Sequence, residues 1–208
     1  MHTMGQRIMK TTRIQGFSMI ELAVTLAIIG VLMAAVMPNI GEWIANSRVR
    51  SSAESLQAGL QAARNEAVKR NRPITFWLVS LNDDKVMDNS CKLASNAGSW
   101  VISVNSPEDN CGAAASTTVD PMIVLTHPAG ESGSNLVVDA LTADGSQAAS
   151  SVTFNGFGQI TGANDIGRIN VSSNNAPRNL RLLLSSSGSI FMCDPHVADD
   201  KDPRFCPN

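Results

Sequence analysis

Tyrosine is absent from this 208-residue chain, and only 4% of its residues are aromatic. The three histidines are scattered, with His2 near the start, His127 before Pro128 and His196 close to the end. Serine is plentiful but falls in loop tracts without a nucleophile-elbow pattern, and no phosphate-binding loop or metal-ligand spacing occurs. Asp83-Asp84 and Asp199-Asp200 come nearest to a calcium site and read as solvated loop acids. Together these absences point away from an enzyme, and no cofactor is expected. Positive charge is scarce too. From Pro73 onward seven Lys and Arg face fourteen Asp and Glu, which argues against a broad electropositive face for nucleic acid while leaving room for a local patch.

What the chain does have is a long apolar run that begins abruptly. Residues 1–16 hold Arg7, Lys10 and Arg13 and no acid, ending in Gly16. Phe17-Ser18-Met19-Ile20-Glu21 then opens a run that lasts to Met37, about twenty residues, enough to cross a bilayer as a helix at ~1.5 Å per residue. The basic residues before it should keep that end cytoplasmic. Glu21 is the one ionisable residue inside, and a carboxylate in a membrane-length segment is costly unless it has a partner and a task. An ordinary secretory signal would be cut after the apolar run at a small-x-small site, but Ala34-Ala35-Val36-Met37 offers only a poor one. A plain signal anchor would leave Glu21 without a purpose. Met1, Met4 and Met9 could each start the chain.

The pattern Gly16-Phe17-Ser18-Met19-Ile20-Glu21-Leu22 closely resembles the processing site of type IV pilins and type II secretion pseudopilins. The resemblance implies that a membrane peptidase cuts after Gly16 and methylates the new terminal Phe17. It also implies that Glu21 serves when the subunit packs into a filament, meeting the N-terminus of a neighbour. The expected partners are then the processing peptidase and methyltransferase, other major and minor pilins, and the inner membrane. The chain would cross that membrane once, with its C-terminal domain in the periplasm, before entering a pilus.

From Phe17 to about Arg70 the sequence predicts one extended helix. Pro38, followed by Asn39 and Gly41, predicts a kink or local melting, since proline removes a backbone donor and crowds the preceding turn. In pilins a proline here is frequent, and the neighbouring helix is thought to loosen in the filament. Beyond it Val49, Ala53, Leu56, Leu60, Ala63 and Ala67 step by three and four along one face, and Pro73 ends the helix. The rest alternates short β-prone runs with Gly, Ser, Asn and Pro clusters: 74–78, 100–104, 122–125, 136–141, 152–154, 168–171, 180–184 and 190–193. Asn155-Gly156-Phe157-Gly158 and Ser185-Ser186-Ser187-Gly188 read as turns. The expected fold is α+β and pilin-like, with a long N-terminal helix (a transmembrane half and an amphipathic half) packed on an antiparallel β-sheet domain. Its parts are a leader (1–16), a membrane and filament-core helix (17–37), an amphipathic helix (38–72) and a periplasmic β-rich domain (73–208). The Ser/Ala/Gly-rich loops 105–118 and 143–151 should be exposed and mobile.

Four cysteines, Cys91, Cys111, Cys193 and Cys206, all lie beyond the apolar run, where disulfides persist if the domain is exported. Three pairings are possible. Sequence proximity favours Cys91–Cys111 and Cys193–Cys206, and a metal site on Cys193, His196 and Cys206 is the competing reading.

A narrower resemblance follows from Ala62-Ala63-Arg64-Asn65-Glu66-Ala67-Val68-Lys69-Arg70-Asn71, which is similar to the helix-end signature of the FimT/FimU/GspH group of minor pilins and pseudopilins. Gly98-Ser99-Trp100-Val101-Ile102, Val152 to Gly158 and Ser187 to Cys193 fit the same group. Lys69 and Arg70 read as a solvated helix face, whereas Arg64 and Glu66 stand between that reading and subunit contacts. The group implies a minor pilin that enters and helps to initiate the pilus at its tip, in support of twitching motility or adhesion. Its other branches are a minor pseudopilin of type II secretion and a DNA-binding minor pilin of natural transformation. The DNA branch uses a Gly-Arg-x-Arg motif. Here Gly167-Arg168-Ile169-Asn170 lacks the second Arg, and the tail from Asp194 interleaves acids with its cations. Arg168, Arg178, Arg181 and Arg204 form a DNA patch only if folding gathers them.

Overall fold

The computed structural model describes residues 16–130, 136–174 and 176–207, with the side chains of 35–39 outside that description. The chain falls into two units, Met1–Ile40 and Gly41–Asn208. Among the described residues the elements in order are one helix, α1 (Met19–Arg70), and nine strands: β1 (Ile74–Ser80), β2 (Lys92–Leu93), β3 (Ser99–Ser103), β4 (Ile123–His127), β5 (Leu136–Leu141), β6 (Ser151–Phe154), β7 (Arg168–Ser173), β8 (Leu180–Leu184) and β9 (Ile190–Cys193).

In the first unit the helix is started by Ser18. Its carbonyl accepts the Leu22 N–H and its hydroxyl accepts the Glu21 N–H, both at 3.2 Å, so Ser18 is the N-cap and Glu21 sits at the third helical position, the sequence arrangement of a capping box. The helix then runs on through residue 38, so of the kink or local melting expected at Pro38 the melting is absent from this structure. A proline takes a single donor out of the ladder, and that alone does not interrupt a helix of 52 residues.

In the second unit the predicted stripe of α1 is buried along its whole length, with Val49, Ala53, Leu56, Leu60, Ala63 and Ala67 fully enclosed. It ends at Asn71, whose φ of +47° puts it in the left-handed region that Asn tolerates. The Arg72 N–H then bonds to the Ala67 carbonyl and the Asn71 N–H to that of Val68, a Schellman closure of the last turn.

The β-rich part holds two antiparallel sheets, where the sequence reading expected one. In the first, β1 is central. It pairs with β3 along one edge, with β6 and then β2 along the other, and β4 extends the sheet beyond β3. In the second the order is β5-β7-β8-β9. One core lies among α1 and the inner faces of both sheets, represented by Phe76, Ile102 and Phe154 from the first and Val138, Ile169 and Leu182 from the second. Gly59 makes the approach possible, because a Cβ there would stand 2.8 Å from the Phe76 and Trp100 rings. Trp100 in turn donates its indole N–H to the Ser55 hydroxyl at 3.2 Å.

The first sheet is covered on its other face as well. Val79, Val101 and Ile123 form a second cluster with Cys91 and Cys111, which is why β3 is buried at all five positions and reads as a continuous apolar run. The expected pairing holds: Cys91 is bonded to Cys111 and Cys193 to Cys206. The latter bond consumes both thiolates of the competing metal reading. Loop 105–118 is therefore pinned, with Pro107 and Cys111 buried and the remainder mostly exposed.

Candidate functional site

The processing region is the start of α1. Gly16 and Phe17 precede the cap, and Phe17 and Met19 are 86% and 90% exposed. Ile20, Leu22, Val24, Leu26 and Ile28 follow, all exposed, on every side of the helix. Glu21 lies in the first turn, where the unpaired N–H groups and helix dipole favour a carboxylate. Among the described residues no helix is long and apolar enough to cross a membrane. The described side chains of the expected span stop at Ala34, three short of Met37. The leader before Gly16, with Arg7, Lys10, Arg13 and the three candidate start methionines, lies outside the described residues, as does the side chain of Pro38.

At the far end of α1 the structure builds a junction that the sequence reading missed. Arg64 is half-buried and donates from Nε to the Gly158 carbonyl at 3.1 Å. Gly158 (φ +74°) and Gly188 (φ +79°) meet there, and a Cβ on Gly188 would stand 1.8 Å from the Gly158 oxygen and 3.0 Å from Arg64 Nε. Both turns thus need glycine, for backbone conformation and for room. A Cβ on Gly156 would stand 2.6 Å from Asn71 Oδ1, so the helix end, the 155–158 turn and the 185–188 turn form one packed knot. Glu66 bonds to Arg70 at 2.7 Å and Lys69 at 3.2 Å, and the Arg70 hydrogen bond holds its carboxyl below the usual range. The signature residues Arg64 and Glu66 therefore have partners within the chain. The sequence showed both glycine turns and the arginine beside Ala63, but nothing in it that joins them.

Arg178 and Arg204 line a cleft of about 220 Å³ with Arg50, but Glu54 and Asp194 line it too, and Arg204 is paired with Asp202 at 2.7 Å. That pairing lowers the Asp202 carboxyl to about 2. Arg168 and Arg181 lie on the outward-facing positions of β7 and β8. The Arg181 Nε donates to Asn170 Oδ1 at 2.7 Å. The Arg168 guanidinium packs over the 142–146 turn, where a Cβ on Gly145 would collide with it. Gly167 approaches Ala143 in the same turn, so the Gly167-Arg168 pair has a packing role. Asp144, which accepts from Thr142 and Ser146 hydroxyls, is lowered to about 2.

A family profile described as the prokaryotic N-terminal methylation motif matches residues 11–37, across the Gly16–Phe17 join. A second, described as the type II transport protein GspH, matches residues 52–188 and so takes in α1 from its amphipathic part to the turn at Gly188. Among solved structures, two crystal forms of the type IV minor pilin FimU from Pseudomonas aeruginosa are similar. They are 19% and 18% identical, covering 72% and 74% of this chain and 99% and 96% of theirs, with TM-scores of 0.42 and 0.43. No curated protein matches the chain. With its methylation motif and with the GspH profile over well more than half its length, the chain belongs to the GspH family of type IV minor pilins and pseudopilins.

Proposed function

We propose that this protein is a minor type IV pilin that enters the pilus and helps to initiate its assembly at the tip, in support of twitching motility or adhesion. Cleavage after Gly16 frees Phe17 for methylation. The helix from Phe17 to Met37 then holds the subunit in the inner membrane with its disulfide-bonded domain in the periplasm, until it packs among other pilins. The observation that carries this reading is the start of α1: apolar side chains exposed on every side, lying within the methylation motif and carrying Glu21 in the first turn as their one ionisable residue. Such a surface needs lipid or other apolar helices as cover. In that setting an unpaired carboxylate is costly and one facing the positive N-terminus of an adjacent subunit is favoured, so Glu21 acts as a register device.

Replacing Glu21 by Ala tests this. The variant is expected to be processed normally but to enter sheared filaments poorly, whereas Gly16→Val should accumulate with its leader attached. Wild-type incorporation of Glu21→Ala contradicts the assembly role.

A second reading, a minor pseudopilin of type II secretion, is favoured by the description of the matching family as a type II transport protein. Deletion of the gene separates the two. Loss of surface pili with secretion intact supports the pilus reading, and the reverse supports the secretion reading. For the DNA-uptake branch, the acids and other partners among the four arginines offer no support, because counterion release needs clustered free cations.

A further inference from the structure

The second unit carries a cleft of about 300 Å³ where α1, the far end of β4 and the start of β5 meet the loops on either side of β2. Backbone bonds tie its walls together. The Gly130 N–H donates to the Asp84 carbonyl at 2.7 Å and the Ala140 N–H to the Ser95 carbonyl at 2.9 Å. The Ala129 N–H donates to the Ser99 hydroxyl, also at 2.9 Å. The cleft is thus preformed, which lowers the entropic cost of filling it.

Hydrogen-bonding side chains without partners set this cleft apart from the rest of the surface. Asp83, Asp88, Asp144, Asp199 and Asp202 each accept the backbone N–H two residues further on, the usual way a loop acid is satisfied. Asp84 does not. Among the described residues neither its carboxylate, nor the Asn96 amide, nor the Ser51 and Ser52 hydroxyls have a hydrogen-bond partner, and all four residues line the cleft. Ser52 is only 9% exposed, and a hydroxyl so enclosed costs free energy until something bonds to it. The His127 ring, also in the lining, is stacked on Trp100 with centroids 5.2 Å apart and planes at 22°. One face of the imidazole is covered in this way while the residue as a whole stays exposed. Leu136 and Val138 of β5 add an apolar wall.

The chemistry of this set narrows the ligand. No Lys or Arg lines the cleft, and Asp84 would repel an anion. Among the described residues no three His, Cys, Asp or Glu gather to hold a metal ion. A wholly apolar molecule would bury the free polar groups without pairing them. A neutral sugar ring meets every requirement. Its hydroxyls both donate and accept, so they can give to the Asp84 carboxylate and exchange bonds with the Asn96 amide and the serine hydroxyls. Its C–H face can lie on the imidazole ring or against the β5 wall. Ligand sites run from about 300 to 1,000 Å³, and a cleft at the lower end has room for a mono- or disaccharide.

We infer that this cleft is a binding site for a neutral carbohydrate, with Asp84 and Asn96 as its principal hydrogen-bonding groups. The inference stands on the second unit alone and is independent of processing at Gly16.

The test uses the full chain in a polyoxyethylene detergent, which has neither a sugar headgroup nor a charge. Saturation transfer from the protein is recorded to the methyl glycosides of glucose, galactose, mannose and N-acetylglucosamine. N-acetylneuraminic acid, an anionic sugar, and butylamine, a cation that Asp84 would also attract, are run beside them. The expected result is transfer to the ring protons of at least one neutral glycoside and none to the anionic sugar. Asp84→Ala and Asn96→Ala, both at exposed loop positions, should each weaken that binding about tenfold, the scale of one lost hydrogen bond. Asp199→Ala, in the tail, should bind as the wild type does. No transfer to any of the four neutral glycosides overturns the proposal, as does transfer to butylamine alone. Equal transfer to the anionic sugar, or glycoside binding that survives undiminished in either cleft variant, overturns it too.

Discussion

Arg64 illustrates how one side chain can tie distant parts of the sequence together. Its bond to the Gly158 carbonyl spans 94 positions and lies beneath the contact between Gly158 and Gly188. A half-buried charged hydrogen bond contributes about 1.5–3 kcal/mol, and Arg64→Ala should therefore lower the unfolding free energy by an amount in that range, seen as a lower denaturant midpoint. Gly188→Ala should cost more than Ser187→Ala in the same turn, since the added methyl meets a backbone oxygen and the φ is left-handed,. Equal stability of the two turn variants would show that the knot is not packed as described. Arg64 was legible only as a cation in a family signature. Its burial depends on two turns far along the chain, which no local pattern reveals.

At the scale of elements, the strands at 136–141, 180–184 and 190–193 were readable to the residue, because each is a short β-prone apolar run between turn-forming clusters. The division into two sheets was not readable. Alternation tells which residues of a strand face inward but not which strand it joins, and β6 crosses back to β1 while β5 and β7 pair with each other. β2 escaped notice because it is two residues long and lies in a polar loop. The face of the first sheet away from α1 was hidden for a related reason, since the loop that covers it is held by Cys91–Cys111. Those cysteines close a loop with a separation of 20 residues and those of the tail one of 13. On chain-entropy grounds each contributes roughly 2–4 kcal/mol. Replacing Cys91 and Cys111 by Ala should both lower the unfolding midpoint and raise amide exchange in β3, whose outer face loses its cover. Replacing Cys193 and Cys206 should lower the midpoint with β3 protection unchanged. Identical exchange maps for the two variants would contradict the separate roles of the loops.

For the molecule as a whole, acid stability follows from carboxylates that the fold makes more acidic. Asp144 is lowered from 3.8 to about 2 chiefly by the Thr142 hydroxyl, then by Ser146, and Asp202 to about 2 chiefly by Arg204. A carboxyl whose folded value lies below its unfolded one stabilises above the unfolded value and loses that contribution as pH falls through the folded value. The thermal midpoint of the full chain in mild detergent should thus decline as pH drops from 3.8 towards 2, and Asp144→Asn should flatten part of that decline. The Asp202 share should shrink in high salt, because its guanidinium partner is exposed,. A midpoint unchanged across that window would contradict both assignments.

The central claim is that the chain matures at the Gly16–Phe17 join and carries its exposed apolar helix into a filament. The measurement closest to it is the mass of the N-terminal peptide of the protein recovered from a sheared pilus fraction. The account predicts a chain that begins at Phe17 and carries one added methyl group on its terminal nitrogen. A chain that keeps residues before Phe17, or one that begins only after the apolar run has been removed, would contradict it.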